Sequence, residues 1–329
     1  MRILEFHGCA SLISTPDISC LPNLEELSCS SCVSLITIDD SIGFLSKLKI
    51  LIFKYCSELK SIPPLKCTSL EKLNLSNLAS IESLPPMEWL DKLKFLNIQM
   101  CRKLQTIPPL KLISLEEFFI SYCCSLKSLS PTLDGLLDKL KVFRIDHCAK
   151  LKSIPPLKMA SLEELYILYC IGLESLPPMV DGILDKLQIF HVEFCINLES
   201  IPPLKLASLK NLEIIRCGYL ESLPPMLDRS LHNLQTLKIE NCYNLKKIPP
   251  LKFPLLEELY ISDCSSLKSL PSMMDASLDK LKVLFVKSIE LRNIPPLKLP
   301  LLEELYILDC DSLENFPPVI DESLINLKS

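Results

Sequence analysis

Apolar side chains recur along this chain in short bursts with one internal rhythm. Leu24, Leu48, Leu70, Leu93, Leu115, Leu140, Leu162, Leu187, Leu209, Leu234, Leu256, Leu281 and Leu302 open equivalent segments, and Met1 opens a fourteenth at the start. Most read close to L-x-x-L-x-L/I-x-x-C-x-x-L-x-x-L/I-P-P. Within each segment the alternation has period 2, as strands require: in Leu162–Cys170, Leu165 and Ile167 fall on one side and Glu164, Tyr166 and Leu168 on the other. A lone unit cannot bury its leucine face. Stacked units can, with Leu165 set against Phe143 and Phe190 of its neighbours, so the pattern predicts a parallel sheet that grows by one strand per repeat.

This is the leucine-rich-repeat pattern, and it runs through the whole of 1–329 as one predicted domain of about 14 repeats. From Leu93 to Leu281 22- and 25-residue units alternate, and Leu93, Leu140, Leu187, Leu234 and Leu281 stand 47 residues apart, the mark of a duplicated two-repeat block. The expected fold is an α/β-type solenoid, predominantly β: a leucine-rich-repeat horseshoe with one parallel sheet on its concave side. Both ends stop inside the pattern, with Leu324–Leu327 beginning another unit, which predicts a fragment without capping repeats.

Twelve of the 16 cysteines share one repeat position: Cys9, Cys32, Cys56, Cys101, Cys123, Cys148, Cys170, Cys195, Cys217, Cys242, Cys264 and Cys310. Here the chain leaves the strand, and a small buried thiol able to hydrogen-bond turn backbone suits the place. Leu78 interrupts the column, and near Ser288 the unit is one residue short. In-line side chains on adjacent strands rarely reach disulfide torsions. Cys29-Ser-Ser-Cys32 has no second pair or histidine at ligand spacing, so no metal is expected. Free thiols in a reducing compartment are the expectation.

Proline pairs such as Pro63-Pro64, Pro108-Pro109, Pro155-Pro156 and Pro202-Pro203 end the units. Proline fixes φ and removes a donor, so the return path should be extended or polyproline-like, with at most one helical turn in the longer "PPMVDGILDKL" type. Lys66, Lys111, Lys158, Lys205, Lys252 and Lys298 recur on that side and read as a solvated face.

The composition narrows the function classes. The chain is 48% hydrophobic with a net charge of −5 and no basic block, which argues against a nucleic-acid partner. No apolar run approaches the roughly 18 residues of a membrane-spanning helix, and Glu5 and His7 break what would be a secretory leader. No phosphate-cradling loop, H-E-x-x-H or G-x-S-x-G occurs, and His7, His147, His191 and His232 lie in different repeats. No enzyme activity and no cofactor are expected.

What varies is the middle outward position of each strand: Ser28, Ile52, Asn74 and Asn97, then Phe119, Arg144, Tyr166, His191, Glu213, Lys238, Tyr260, Phe285 and Tyr306. Glu117, Glu164, Glu258 and Glu304 run beside this row with Val142, Ile189 and Val283. Tyrosine and arginine carry interface hot spots, so Phe119 to Tyr306 form the candidate protein-binding row.

The stretch Met1–Leu51, with "LPNLEEL" and "LITIDDSIGFL", and the recurring C-x-x-L-x-S-L/I-P-P of Cys217–Pro225 resemble the repeat region of plant TIR-type nucleotide-binding leucine-rich-repeat disease resistance proteins. The resemblance implies a cytoplasmic, or also nuclear, module that recognises a pathogen effector or a guarded host protein. It also implies upstream TIR and nucleotide-binding domains, the latter held inactive with the help of the repeats. Two other readings stay open: an extracellular receptor, for which the one sequon is Asn74-Leu-Ser76, and a free-standing scaffold or substrate adaptor.

Overall fold

The computed structural model describes residues 1–129, 137–179, 184–224, 231–271 and 278–314. They form two compact units, Met1–Leu162 and Glu163–Ser329. The first carries β1 (Ile3–His7), β2 (Glu26–Ser30), β3 (Ile50–Lys54), β4 (Lys72–Ser76), β5 (Phe95–Gln99), β6 (Glu117–Ser121) and β7 (Val142–Asp146). Each is parallel to and in register with the next. The second carries β8 (Glu164–Leu168), β9 (Ile189–Glu193), β10 (Asn211–Ile215), β11 (Thr236–Glu240), β12 (Glu258–Ser262), β13 (Val283–Lys287) and β14 (Glu304–Leu308), paired in the same way.

The period-2 reading holds strand by strand. β5, β9, β10 and β11 alternate between half-exposed and fully buried positions. The in-register pairing stacks like on like: Leu165 against Phe190, and Leu212 against Leu237, all of them inaccessible to solvent. In the first unit Phe118 and Phe143 stack with ring centroids 5.3 Å apart. Apolar burial repeated at every strand is what drives the stack together.

Two tight turns frame each strand. One precedes it, as where the Leu115 N–H meets the Leu112 carbonyl at 3.0 Å, and one follows the cysteine, as where Leu104 N–H meets Cys101 O at 3.1 Å. Beyond the second turn, isolated parallel bridges such as Ser14 to Thr37 and Ser175 to Ser200 tie neighbouring repeats again. The return paths are irregular and extended. Among the described residues, the one helix is a 3-10 turn at Asp40–Phe44, capped by the Asp39 carboxylate, which accepts from the Ser41 N–H at 2.9 Å. Within it Gly43 is required: a Cβ there would collide with the Pro64 carbonyl oxygen of the next return path. The helical turn expected in the longer return segments falls largely outside the described residues, as does the Leu324–Leu327 segment.

All sixteen cysteines are free, and the column is buried apart from its half-exposed members Cys9 and Cys310. The thiols have work to do there. Cys32 Sγ donates to Phe6 O at 3.5 Å and Cys56 Sγ to Cys29 O at 3.5 Å, in each case the carbonyl of the fourth residue of the preceding strand. Cys195 and Cys242 do the same toward Ile167 and Ile214. Burial pushes the Cys56 and Cys67 thiols up to about 11, so they stay protonated donors at neutral pH. In the short unit Ser288 takes over, its hydroxyl donating to Cys264 O at 3.0 Å.

Candidate functional site

In both units the outward side of the sheet carries the row singled out by variability. In the first unit the row does not start as an exposed one. Ser28 and Asn74 are each only 9% exposed, because small polar side chains pack on one another there. Asn74 Oδ1 accepts from Ser76 Oγ at 2.6 Å and from Asn97 Nδ2 at 3.1 Å, with Asn97 also reaching Ser76 Oγ at 3.2 Å. At this burial Asn74 offers little room for a glycan. Phe119 is half-buried and leans on Phe95 at 5.6 Å, and Lys72 sits 5.0 Å over the Phe95 ring. Arg144 pairs with the buried Asp146 at 3.3 Å, and Asp146 also holds His147 Nδ1 at 2.5 Å.

In the second unit the row is continuous and mostly half-buried, since each side chain rests on its neighbour. The Tyr166 hydroxyl donates to Glu164 at 2.9 Å, and its ring meets His191 edge-on at 6.2 Å. His191 Nε2 lies between two carboxylates, 3.5 Å from Glu193 and 3.6 Å from Glu213. Lys238 pairs with Glu240 at 3.4 Å. Tyr260, Phe285 and Tyr306 then form a tilted aromatic ladder with centroid steps of 6.1 and 5.8 Å. Burial and the charges of Glu258 and Glu304 raise the Tyr260 phenol, and Glu304 raises that of Tyr306, accepting its hydroxyl at 3.1 Å. Phe119 and Arg144 thus belong to the first unit, and the seven from Tyr166 to Tyr306 to the second.

A second set of positions is not legible in the sequence. The residue between strand end and cysteine is left-handed in repeat after repeat, with φ between 46° and 64°: Gly8, then non-glycines including Ser31, Tyr55, Met100, Tyr122, His147, Tyr169, Phe194 and Arg216. Such a residue costs about 1–2 kcal/mol in backbone strain. The strain is held by the N–H, which donates to the last carbonyl of the next strand, as from Met100 to Ser121 and Asn241 to Ser262 at 2.8 and 2.9 Å. Side chains on this row stack too: Tyr122 on His147 at 4.2 Å in the first unit, and Tyr169 on Phe194 at 5.1 Å with Arg216 over Phe194 in the second. Glycine and asparagine, the usual left-handed signals, mark only a few of these sites, so the sequence does not announce them. The unit containing β13 lacks this residue, which is why Ser288 reaches the cysteine position one step early.

A shallow groove of ≈ 380 Å³ in the second unit is lined by Glu163, Lys186, Gln188 and Lys210 among others, without the apolar walls of a cofactor site. Among the described residues no group of three potential metal ligands converges, and no helix is long and apolar enough to cross a membrane.

A parallel repeat stack of this kind, with its leucines inside and a side-chain-rich sheet face outside, is a leucine-rich-repeat solenoid. A leucine-rich repeat protein from Bacteroides ovatus shares the fold, with a TM-score of 0.53 at 14% identity over 99% of this chain and 90% of that one. In sequence the chain is similar to the TMV resistance protein N of Nicotiana glutinosa, 34% identical over 85 residues. It is also similar to the disease resistance protein RPP4 of Arabidopsis thaliana, 35% identical over 89 residues. These matches take in 26% and 27% of this chain but only 7% and 8% of the two relatives. No protein-family model matches the chain.

Proposed function

We propose that the chain is the recognition arm of an intracellular plant immune receptor, binding a pathogen effector or a guarded host protein through the outward sheet face. In this reading it has no catalytic role of its own, and it contributes to autoinhibition by contacting a nucleotide-binding domain of the same receptor. The observation that carries the reading is the row Tyr166–Tyr306, where aromatic and charged side chains stand in register on a rigid sheet, preorganised at little entropic cost. Its support in kind comes from the resistance-protein relatives. Sixteen free thiols favour a cytoplasmic setting, and the buried, hydrogen-bonded Asn74 weighs against an extracellular one.

The test is site-specific photo-crosslinking in plant tissue, with the crosslinker placed at Tyr166 or Tyr260 and, as a control, at the exposed Lys66 or Lys111 of the return paths. A pathogen- or host-derived adduct formed from the sheet positions, to a protein whose co-purification with the uncrosslinked chain is lost in the Tyr166→Ala/Tyr260→Ala double variant, supports the reading. Adducts formed equally from the return-path positions overturn it.

A further inference from the structure

The outward face of the second unit has a charge character that the first lacks. At the outward positions of β8–β14 stand Glu164, Glu193, Glu213, Glu240, Glu258 and Glu304, against only Lys238 and Lys287. Both lysines are already engaged. Lys238 pairs with Glu240 at 3.4 Å, and Lys287 pairs with Asp263 and Asp309 at 3.2 and 3.5 Å, off the middle row. Among the described residues no cation pairs with Glu258, and Glu304 accepts from the Tyr306 hydroxyl at 3.1 Å. In the first unit, by contrast, the carboxylates Glu5, Glu26, Glu117 and Asp146 face Lys54, Lys72 and Arg144, close to balance.

Between the carboxylates of Glu258 and Glu304 lies the Tyr260–Phe285–Tyr306 ladder. Glu258 and Glu304 share a register line through Val283, with one strand between them, so their backbones stand about 10 Å apart at the usual strand spacing. Burial first, then the charges of Glu258 and Glu304, raises the Tyr260 phenol, and the hydrogen bond to Glu304 raises that of Tyr306. Aromatic faces rimmed by carboxylates favour a guanidinium above other groups: it stacks flat on a ring and still offers its N–H fork to a carboxylate. A phosphate backbone would be repelled. The ladder, with its two steps of 6.1 and 5.8 Å, is too long for one side chain and suits an extended peptide.

We infer that β12–β14 bind an arginine-bearing segment of the partner protein in polyproline II conformation, its arginines three residues apart and so on one face, at about 3.1 Å per residue, to meet Glu258 and Glu304. This rests on the sheet face being the recognition surface, and it names the chemistry recognised there.

The experiment uses the full chain and a fluorescent peptide of three Arg-Ala-Ala repeats, with a citrulline counterpart of equal size and no charge. Anisotropy should show binding of the arginine peptide that weakens about tenfold between low and high salt, as screening of exposed charges requires. Glu258→Gln/Glu304→Gln, near-isosteric at accessible positions, should weaken it by a similar factor, and Tyr260→Ala/Phe285→Ala should abolish it. Glu221→Gln, on an exposed ion pair away from this face, should change nothing. Equal binding of the citrulline peptide, or no response to the glutamine pair, overturns the inference. If the sheet-face crosslinks form while the arginine peptide fails to bind, the chemistry is wrong and the recognition face stands; if crosslinks form only from the return paths, the face itself is wrong.

Discussion

Leu212 offers the sharpest test of the stacked core. It lies at the second position of β10, inaccessible to solvent, with Phe190 and Leu237 as its equally buried register partners. Leu212→Ala removes apolar contacts and leaves a cavity, at a cost of about 3 kcal/mol. Leu212→Asp loses the same volume and adds a carboxyl with no partner. The carboxyl escapes the burial of a charge by keeping its proton, which at pH 7 against a free value near 3.9 costs about 4 kcal/mol. The aspartate should therefore destabilise by about 7 kcal/mol at pH 7, some 4 kcal/mol beyond alanine. The sign of the pH dependence follows. The folded pKa is raised, so the unfolded state releases its proton first as pH rises, and stability falls above the unfolded value. At pH 5 the gap between the two variants should shrink to about 1.5 kcal/mol. Guanidinium unfolding followed by far-UV circular dichroism at both pH values measures the gap, and hydrogen exchange should localise the loss to β9–β11, because repeats couple to their neighbours. Equal destabilisation by alanine and aspartate at pH 7, or a gap that widens at pH 5, would mean that Leu212 faces solvent and that the strand faces are reversed.

Ser288→Ala removes one of the two hydrogen bonds to the Cys264 carbonyl, which keeps the Leu267 N–H at 2.9 Å, and should cost about 1 kcal/mol in chemical denaturation, while Ser288→Cys, which restores the column residue, should cost less. At Met100, with φ of 54°, Met100→Gly should hold or slightly raise the thermal midpoint, whereas Met100→Val, β-branched and left-handed, should lower stability by about 1 kcal/mol or more. A thiol reagent applied to the native chain should modify Cys20 and Cys124 quickly and Cys9 and Cys310 more slowly, leaving the twelve buried thiols until denaturant is added. Lys282→Met breaks the exposed 2.7 Å pair with Glu257 and should leave the melting midpoint within experimental scatter, with no added salt sensitivity.

The strand positions, the parallel order within each unit and the inward leucines were all legible in the residues, because a repeat presents the same period-2 signal fourteen times and its errors average out. The cysteine column was legible for the same reason, and it is buried except at its two end members, Cys9 and Cys310. The outward row was legible only as a list. Ser28 and Asn74, read as exposed, are covered because neighbouring strands bring small polar side chains within hydrogen-bond distance, and no spacing rule reports what sits one strand away.

By itself the sequence determined the repeat, its register and the side of each strand that is buried, since these follow from side-chain hydrophobicity repeated at fixed intervals. Tertiary structure alone decided three things. It made a left-handed residue of Tyr55, Met100 or Phe194, whose N–H is aimed at the next strand's carbonyl whatever the side chain. It let a serine replace a cysteine where that left-handed residue is missing. And it gathered Tyr260, Phe285 and Tyr306, more than twenty residues apart in sequence, into one ladder flanked by Glu258 and Glu304. Contacts between repeats depend on which side chains become lateral neighbours, and stacking fixes that.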